Sequence, residues 1–407
     1  MNALWIYLNS SACSPGHKAI PTDALSHPKW VIEMLFFSCP ASLVEFTLSG
    51  EIGEVMEDMD MDPKQSDWDL DQGLLALRQE PLYHLKAIEL PRVDIEVASL
   101  APLFCSILEQ CPAVEKLTLP FLRDLKAMHA ISKTVGDCCP SISDLVVPSS
   151  WHNKNDEALM AVTGGIQVQR LERIRIGWFL DQPSSNLSAA VFARHSDTLR
   201  QIEFFNCRRI FSNTIQVILV TCRALEILKV QKSSIENSRR NCLMLEAAVL
   251  KEWVCTRIRN LAIIVEFAPD GRGPKYLNDP TKATWTEEDH HHYRMLDKFY
   301  TQIGSLTQLE VLTMQASGFN TLHCKRSHGK IPFRETCLPG LLALEDEVTG
   351  QIGFLSRWAG LRKLRDLRGS FSVTTKEAVA RMGGGGRTMM SQTLYTRFNN
   401  ADLGSIS

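Results

Sequence analysis

Apolar residues recur along the chain in a six-residue pattern, apolar-x-x-apolar-x-apolar. The segment CPAVEKLTLP (111–120) shows the pattern at Val114, Leu117 and Leu119. Alternation of apolar and polar residues is typical of a β-strand with one buried face. The pattern begins at Leu43, Leu85, Val114, Ile142, Leu171, Leu199, Leu225, Ile258 and Leu309. From Leu85 to Leu225 the successive starts are separated by 29, 28, 29, 28 and 26 residues.

The segments between these strands predict amphipathic helices. LAPLFCSILEQC (100–111) and NTIQVILVTC (213–222) space their apolar residues three and four apart, as one buried helix face requires. A strand and a helix repeated about every 28 residues form one supersecondary unit, which needs neighbours to cover its apolar face. The sequence therefore predicts an α/β solenoid, with parallel strands on a concave face and helices on a convex face.

The segment LRQIEFFNCRRIFSNTIQVILVTC (199–222) resembles a leucine-rich repeat. Leu199, Ile202 and Phe204 match its L-x-x-L-x-L strand, and Cys207 matches the Asn/Cys position of the following turn. With Cys222 at the helix end, the unit is similar to the cysteine-containing repeats of F-box substrate receptors of SCF-type ubiquitin ligases. LRGSFSVTTKEAVARMG (367–383) resembles the closing unit of fungal proteins of this kind. The resemblance covers roughly 80–370 and implies a leucine-rich-repeat solenoid with the form of a curved horseshoe.

The repeats set the expected domain organisation. We expect an N-terminal cap-like region with a degenerate helix over 1–42, where no F-box pattern is evident, and leucine-rich repeats over 43–371. Departures from the period predict insertions near 49–80, 265–300 and 316–345. The last strand is expected in GLRKLRDLRGSF (360–371), where the third apolar position falls on Asp366. Residues 372–407 are expected to form a flexible tail.

Composition indicates a folded, soluble chain without a strong global charge. The 407 residues are 44% hydrophobic and 22% charged, with a formal net charge of −2. This balance gives no general attraction to nucleic acid or to an anionic membrane. Neither a run of 18 apolar residues nor a secretory signal is found, so we expect a cytoplasmic or nuclear protein.

The positions of the 12 cysteines indicate a structural role rather than a metal site or a catalytic one. Cys39, Cys111 and Cys139 each precede a proline, and Cys222 occupies the same place in its unit. Zinc sites need paired ligands at short fixed spacing, so we interpret these thiols as small buried residues that end each helix. A vicinal disulfide between Cys138 and Cys139 is a less favoured alternative.

Three polar segments contain residues that could bind a metal ion. DWDLDQG (67–73) lacks the glycine and glutamate that a calcium loop requires. EEDHHHYR (287–294) and HCKRSH (323–328) carry histidines, but both are better interpreted as exposed polar loops. The sequence contains no motif for a catalytic nucleophile or a phosphate loop. We therefore expect no enzyme activity, no cofactor and no metal.

Function is expected at the strand residues that point away from the core, since alternate side chains of a strand take opposite faces. Arginine and aromatic residues are enriched at binding hot spots. The predicted partner-binding residues on the concave face are Arg173, Arg175, Trp178, Gln201, Glu203, Phe205 and Lys229.

The resemblance implies a protein-interaction scaffold, most concretely the substrate-recognition part of an SCF-type ubiquitin ligase. Its partners would be a protein substrate on the concave face and a cullin-ligase adaptor, with no nucleic acid and no membrane. The alternative is a non-ligase leucine-rich-repeat regulator, such as a GTPase-activating or inhibitor-type protein. An extracellular receptor domain would instead carry a glycan at Asn186 and disulfides.

Overall fold

The computed structural model of the protein describes residues 3–8, 36, 38–50, 80–89, 94–95, 100–119, 121–122, 125–147, 162–177, 187–205, 210, 212–230, 242–267, 285–316 and 354–369. The chain divides into two compact units, Met1–Leu199 and Arg200–Ser407, called unit 1 and unit 2 below. Each unit is an α/β structure built on parallel strands.

Unit 1 contains a parallel sheet whose strands follow one another in chain order. Its strands are β1 (Ala3–Leu8), β2 (Glu45–Gly50), β3 (Ala87–Glu89), β5 (Lys116–Thr118), β7 (Asp144–Val147) and β8 (Arg173–Gly177). Two short strands, β4 (Asp94–Ile95) and β6 (Phe121–Leu122), pair separately. The helices are α1 (Leu100–Glu109), α2 (Leu125–Cys138) and α3 (Leu187–Arg194).

Unit 2 repeats this organisation. Its parallel strands are β9 (Gln201–Phe205), β10 (Ile227–Val230), β12 (Asn260–Glu266), β13 (Val311–Ala316) and β14 (Asp366–Gly369), with β11 (Leu243–Met244) also paired to β12. The helices are α4 (Ser212–Thr221), α5 (Leu245–Leu250) and α6 (Glu287–Gly304), followed by a 3-10 helix at Leu355–Trp358.

The predicted apolar pattern forms the core of both units. The first and second apolar positions of all nine predicted strands are at most 1% exposed. Paired strands keep these positions in register, with Ile88 opposite Leu117 in unit 1 and Leu228 opposite Leu261 in unit 2. Full burial of such a side chain stabilises the fold by about 1.5–3 kcal/mol. The predicted α/β repeat fold is confirmed.

In each unit a further set of buried residues lies just before the strands, most of them at or shortly after the end of a helix. Cys39, Cys111, Cys139 and Cys222 are all buried, as predicted. The same position is filled and buried in other repeats by Leu82, His195, Cys255, Leu306 and Leu361. The eight cysteines that the structure describes are free thiols, so Cys138 and Cys139 do not form a disulfide. Cys207 lies outside the described residues.

In unit 2, the chain crosses from each buried helix-end residue to the next strand through a two-residue turn. The amide of Leu225 donates to the carbonyl of Cys222 across 3.3 Å, and Ile258 donates to Cys255 across 3.2 Å. The same bond joins Leu309 to Leu306 and Leu364 to Leu361, at 2.8 and 3.1 Å. Since the strands are parallel and in register, these four turns lie along one edge of the sheet, where the strands begin.

One carbonyl in each repeat joins neighbouring layers at that edge. In unit 2 the carbonyl oxygen of Arg200 accepts from the amides of Glu226 and Ile227, at 2.7 and 2.9 Å. The carbonyls of Glu226, Arg259 and Glu310 each accept two amides from the following repeat in the same way. The turns and these shared carbonyls fix the register at which each strand starts.

The histidine-rich segment differs from the expected polar loop. Residues 287–304 form helix α6, whose N-terminus is closed by a capping box between Thr286 and Asp289. Its inner side buries Leu296, Phe299 and Tyr300. Phe299 packs edge-on against Trp253 and Phe267, with ring centroids 6.0 and 5.9 Å apart. The segment is therefore the helix of its own repeat rather than an inserted loop.

Two further details differ from the sequence interpretation. The last strand has Leu367, not Leu364, opposite Leu312, so its register is three residues later than expected and the inward positions are Leu364 and Leu367. The region 1–42 contains strand β1, which pairs with β2 in parallel. The tail 372–407 and the insertions 51–79 and 317–345 lie outside the described residues.

Candidate functional site

The outward-facing positions of β8 carry two arginines in alternation with buried isoleucines. Arg173 and Arg175 point away from the core, while Ile174 and Ile176 are buried. Arg173 is exposed and Arg175 is half-buried. Residues two apart on a strand share one face, so the two guanidinium groups lie on the same side of the sheet.

The strand face of unit 1 is accessible mainly at β8. The outward residues Thr47, Thr118, Asp144 and Val146, on strands β2, β5 and β7, are all buried. Lys116 is half-buried and forms an ion pair with Glu89. The alternation of apolar and polar residues in the sequence predicts equal solvent exposure at all of these positions. The structure instead concentrates exposed positive charge on one strand.

Asp144 holds Arg173 in place without neutralising the pair of arginines. The Nε atom of Arg173 lies 3.2 Å from Oδ2 of Asp144, and the arginine side chain remains 53% exposed. Arg175 forms no ion pair with the residues that the structure describes. Two arginines therefore face one carboxylate, which leaves net positive charge directed outward. Asp144 was not among the predicted site residues, although its place opposite Arg173 follows from the register.

The strand face of unit 2 carries the other predicted residues. Gln201, Glu203 and Phe205 alternate with buried Ile202 and Phe204 on β9 and are half-buried. Nζ of Lys229 on β10 lies 2.5 Å from Oε1 of Glu203. This pair is partly shielded, and its opposite charges cancel. The predicted Phe205 adds an aromatic ring at the end of the same strand, whereas Trp178 lies outside the described residues.

The histidines of α6 have structural roles in unit 2. Nε2 of His292 lies 2.7 Å from the carbonyl oxygen of Phe267. The ring of His290 contacts that of Trp285, with centroids 5.1 Å apart. Within the described residues, no three histidine, cysteine or acidic side chains are grouped to bind a metal ion. The acidic segment 67–73 and the histidines at 323 and 328 lie outside these residues.

A groove of about 700 Å³ lies between α1 and α2. Cys105 and Cys138 are among the residues that line it. Burial raises the pKa of the Cys105 thiol, and burial together with the nearby Glu109 raises that of Cys138. Both thiols are therefore protonated at neutral pH and are weak nucleophiles. The groove is lined by two acidic residues, Glu109 and Asp137, and two basic residues, Lys126 and Lys133, but its thiols are not activated.

No described helix has the length and apolar character needed to cross a bilayer.

No protein-family model matches the sequence, and no curated protein matches it. Among solved structures, the chain is similar to the leucine-rich repeat-containing protein LegL7 from Legionella pneumophila. The two share 10% sequence identity with a TM-score of 0.30, over 76% of this chain and 90% of that chain.

Proposed function

We propose that this chain is a protein-interaction scaffold that binds its partner through the strand faces of its repeats. The observation that carries the proposal is the arginine pair of β8. Arg173 and Arg175 stand on a strand whose intervening residue, Ile174, is buried in the core, and Asp144 is the one carboxylate of the described residues that pairs with either arginine. Pre-positioned arginines of this kind are typical binding hot spots.

The strand face of unit 2 would offer contacts of its own to a partner. Phe205 offers apolar area, and the Glu203–Lys229 pair offers both a donor and an acceptor of hydrogen bonds. Ion pairs that water still reaches contribute little to stability, about 0–1 kcal/mol, and the Glu203–Lys229 pair is partly exposed. Replacing them on the surface should therefore disturb binding more than folding.

The most concrete form of the proposal is the substrate-recognition part of an SCF-type ubiquitin ligase. It rests on the resemblance of the cysteine-containing repeats to F-box receptors. In that case the tagged protein should co-purify with a cullin-ligase adaptor as well as with its substrate. Recovery of specific partners without any adaptor would contradict the ligase role and leave the scaffold role standing.

The direct test is affinity purification with mass spectrometry, comparing the wild type with the triple variant Arg173→Ala, Arg175→Ala, Phe205→Ala. We expect partners recovered with the wild type to be lost with this variant. A matched control replaces exposed residues away from the strand faces: Lys133→Ala, Arg170→Ala and Tyr83→Ala. Equal recovery by both variants would overturn the assignment of the strand faces.

A further inference from the structure

The edge of unit 2 where its strands begin carries a concentration of basic side chains. Three of the four stacked turns carry the exposed basic residues Arg223, Arg257, Arg362 and Lys363 at their central positions, whereas the turn between Leu306 and Leu309 carries Thr307 and Gln308. We call these four residues the turn-tip cluster. The only hydrogen bond from the cluster's side chains to described residues joins Nζ of Lys363 to Oε1 of Gln308, at 2.5 Å. No acidic side chain of the described residues pairs with Arg223, Arg257 or Arg362.

The next residues inward form a row of alternating charge along the same edge. The row runs Arg200, Glu226, Arg259, Glu310, Arg365, with one residue from each successive strand start. Glu226 lies 3.5 Å from Arg200 and 4.0 Å from Arg259, and Glu310 lies 2.7 Å from Arg365. Three arginines therefore share two carboxylates. The row adds one further positive charge beneath the turn-tip cluster.

The fold itself does not require this charge. In unit 1, turns closed by the same hydrogen bond have Tyr83-His84, Pro112-Ala113 and Pro140-Ser141 at their centres. These turns form with no acidic, lysine or arginine side chain at their tips. Like charges on neighbouring strands, about 4.8 Å apart, repel each other, and the turns of Arg223 and Arg257 precede two such neighbours, β10 and β12. The uncharged turn Thr307-Gln308 separates them from Arg362 and Lys363. The local structure does not explain why three of these turns are basic.

We propose that this basic edge of unit 2 binds an acidic polypeptide segment of a partner protein. Carboxylates of the partner would pair with the turn-tip cluster and relieve the repulsion. Contacts of this type chiefly speed association and select the partner by charge. The surface consists of turn residues and strand starts, and it is separate from the strand-face residues of the function proposed above.

The interleaved carboxylates favour a polypeptide over a nucleic acid. Glu226 and Glu310 keep side-chain exposures of 28% and 30% between the arginines. A phosphodiester backbone carries a negative charge at every nucleotide and would meet these carboxylates. A polypeptide can place acidic residues against the arginines and neutral or basic residues against the glutamates. Nucleic-acid sites also interleave aromatic rings with their basic residues, and the described residues of these turns and strand starts are not aromatic.

The test measures fluorescence anisotropy of a labelled 12-residue peptide of alternating glutamate and serine, added to the full chain at low ionic strength. A peptide with glutamine in place of glutamate and a 20-nucleotide single-stranded DNA serve as comparison probes. We expect the wild type to bind the acidic peptide at least about tenfold more tightly than either probe, with affinity falling as salt rises.

The decisive variant is the turn-tip change Arg223→Gln, Arg257→Gln, Arg362→Gln, Lys363→Gln. It should weaken binding of the acidic peptide about tenfold or more. The matched control removes four positive charges from exposed helix positions: Lys126→Gln, Lys133→Gln, Arg294→Gln and Lys298→Gln. This control should stay within about twofold of the wild type, because those charges lie on helices rather than at the turns. Thermal unfolding confirms that both variants fold.

Three results would overturn the proposal: no binding of the acidic peptide by the wild type, equal weakening in both variants, or tighter binding of the DNA. The strand-face variant Arg173→Ala, Arg175→Ala, Phe205→Ala should bind the acidic peptide as the wild type does. A loss of cellular partners by the strand-face variant alone, or of peptide binding by the turn-tip variant alone, therefore separates the two proposals.

Discussion

His195 occupies the helix-end position that a cysteine or leucine fills in other repeats. Its side chain is fully buried, and its Nδ1 accepts the amide of Leu171 across 3.4 Å. The Nε2 atom is buried and forms no hydrogen bond of good geometry with the residues that the structure describes. Burial, with a smaller contribution from the neighbouring Arg194, lowers the pKa of His195 to about 4. The imidazole is therefore neutral in the folded protein at pH 7.

This histidine should make stability depend on pH below neutrality. An unfolded histidine titrates near pH 6.5, so between about pH 6.5 and 4 the unfolded chain binds more protons than the folded one. The contribution of His195 is complete above pH 6.5 and is lost as pH falls through this window, by up to about 3 kcal/mol. Urea unfolding at several pH values should show the loss.

The variant His195→Leu serves as the comparison, because leucine fills this position in other repeats. We expect its free energy of unfolding to fall less steeply than that of the wild type between pH 6.5 and 4. If the free energy of unfolding falls equally steeply with pH in the two proteins, His195 does not titrate as inferred.

Gly165 lies where unit 1 allows no side chain. A Cβ atom placed there would approach the carbonyl oxygen of Ser132 to 2.0 Å, and the backbone cannot give way without moving α2. We expect Gly165→Ala to lower the free energy of unfolding by about 1–3 kcal/mol. Circular dichroism during chemical unfolding gives the value.

The adjacent Gly164 provides a matched control, since a Cβ atom there meets nothing within 4 Å. Gly164→Ala should leave stability unchanged or raise it slightly, because alanine restricts the unfolded chain. Similar losses for the two alanine variants would contradict the close approach at Gly165.

Among the elements, α6 depends on a well-defined N-terminus. The Thr286 hydroxyl accepts the Asp289 amide across 3.2 Å, and Oδ2 of Asp289 accepts the Thr286 amide across 2.9 Å. The Thr286 hydroxyl also donates to Oδ2 of Asp289 across 2.7 Å, and this bond, together with the one from the Thr286 amide, lowers the pKa of Asp289. Thr286→Ala removes one half of the box and should cost about 1 kcal/mol of stability.

Thr301 offers the control for this helix, because it is exposed within the same helix and takes no part in the cap. Thr301→Ala should leave stability unchanged or raise it slightly through better helix propensity. If Thr286→Ala and Thr301→Ala have equal effects, the cap does not stabilise α6.

The same helix shows where element prediction from the sequence fails. Its first turns, EEDHHHYR, are polar and suggest a loop, whereas the apolar face that anchors it begins only at Leu296. The segment TEED (286–289) carries the spacing of a capping box and could have predicted the start. The sequence pattern also predicts β14 three residues earlier than the structure has it. The reason is that Leu361, which lies before the turn, resembles the first apolar residue of a strand.

For the molecule as a whole, the repeat period in the sequence predicts where the strands and helices lie. It does not predict which of the outward-facing side chains are exposed to solvent. Alternation places Thr118, Asp144 and Arg173 equally on the outward face, yet only Arg173 is exposed. Burial on that face depends on contacts between distant residues, which no local pattern encodes. The net charge of −2 likewise conceals the basic edge of unit 2. That edge becomes visible only when the strand register aligns residues far apart in sequence.

The thiols give a prediction for the whole chain. The eight described cysteines are free, and six of them are buried. Burial raises the pKa of Cys139 to about 12 and also raises that of Cys255. We expect the folded protein to react slowly with iodoacetamide at pH 7.5 at these cysteines, and unfolding in urea to speed their reaction strongly. Mass spectrometry of the alkylated peptides assigns each site.

Reductant provides the corresponding control. The midpoint of thermal unfolding should not change when dithiothreitol is added, because the described cysteines contribute no disulfide. A lower midpoint in reductant, or rapid labelling of Cys139 in the folded protein, would contradict this interpretation.

The two-residue turns of unit 2 determine how such a chain can change in length. Successive strand patterns start at Leu199, Leu225, Ile258, Leu309 and Leu364, with separations of 26, 33, 51 and 55 residues. The four turns that precede Leu225, Ile258, Leu309 and Leu364 nevertheless keep two central residues each. All variation in length therefore falls between the end of one strand and the end of the following helix. Evolution can insert new sequence there, and an engineer can insert a tag or a domain, for example between Phe267 and Trp285. A single residue added to one of these four turns would instead disrupt the hydrogen bond that closes it.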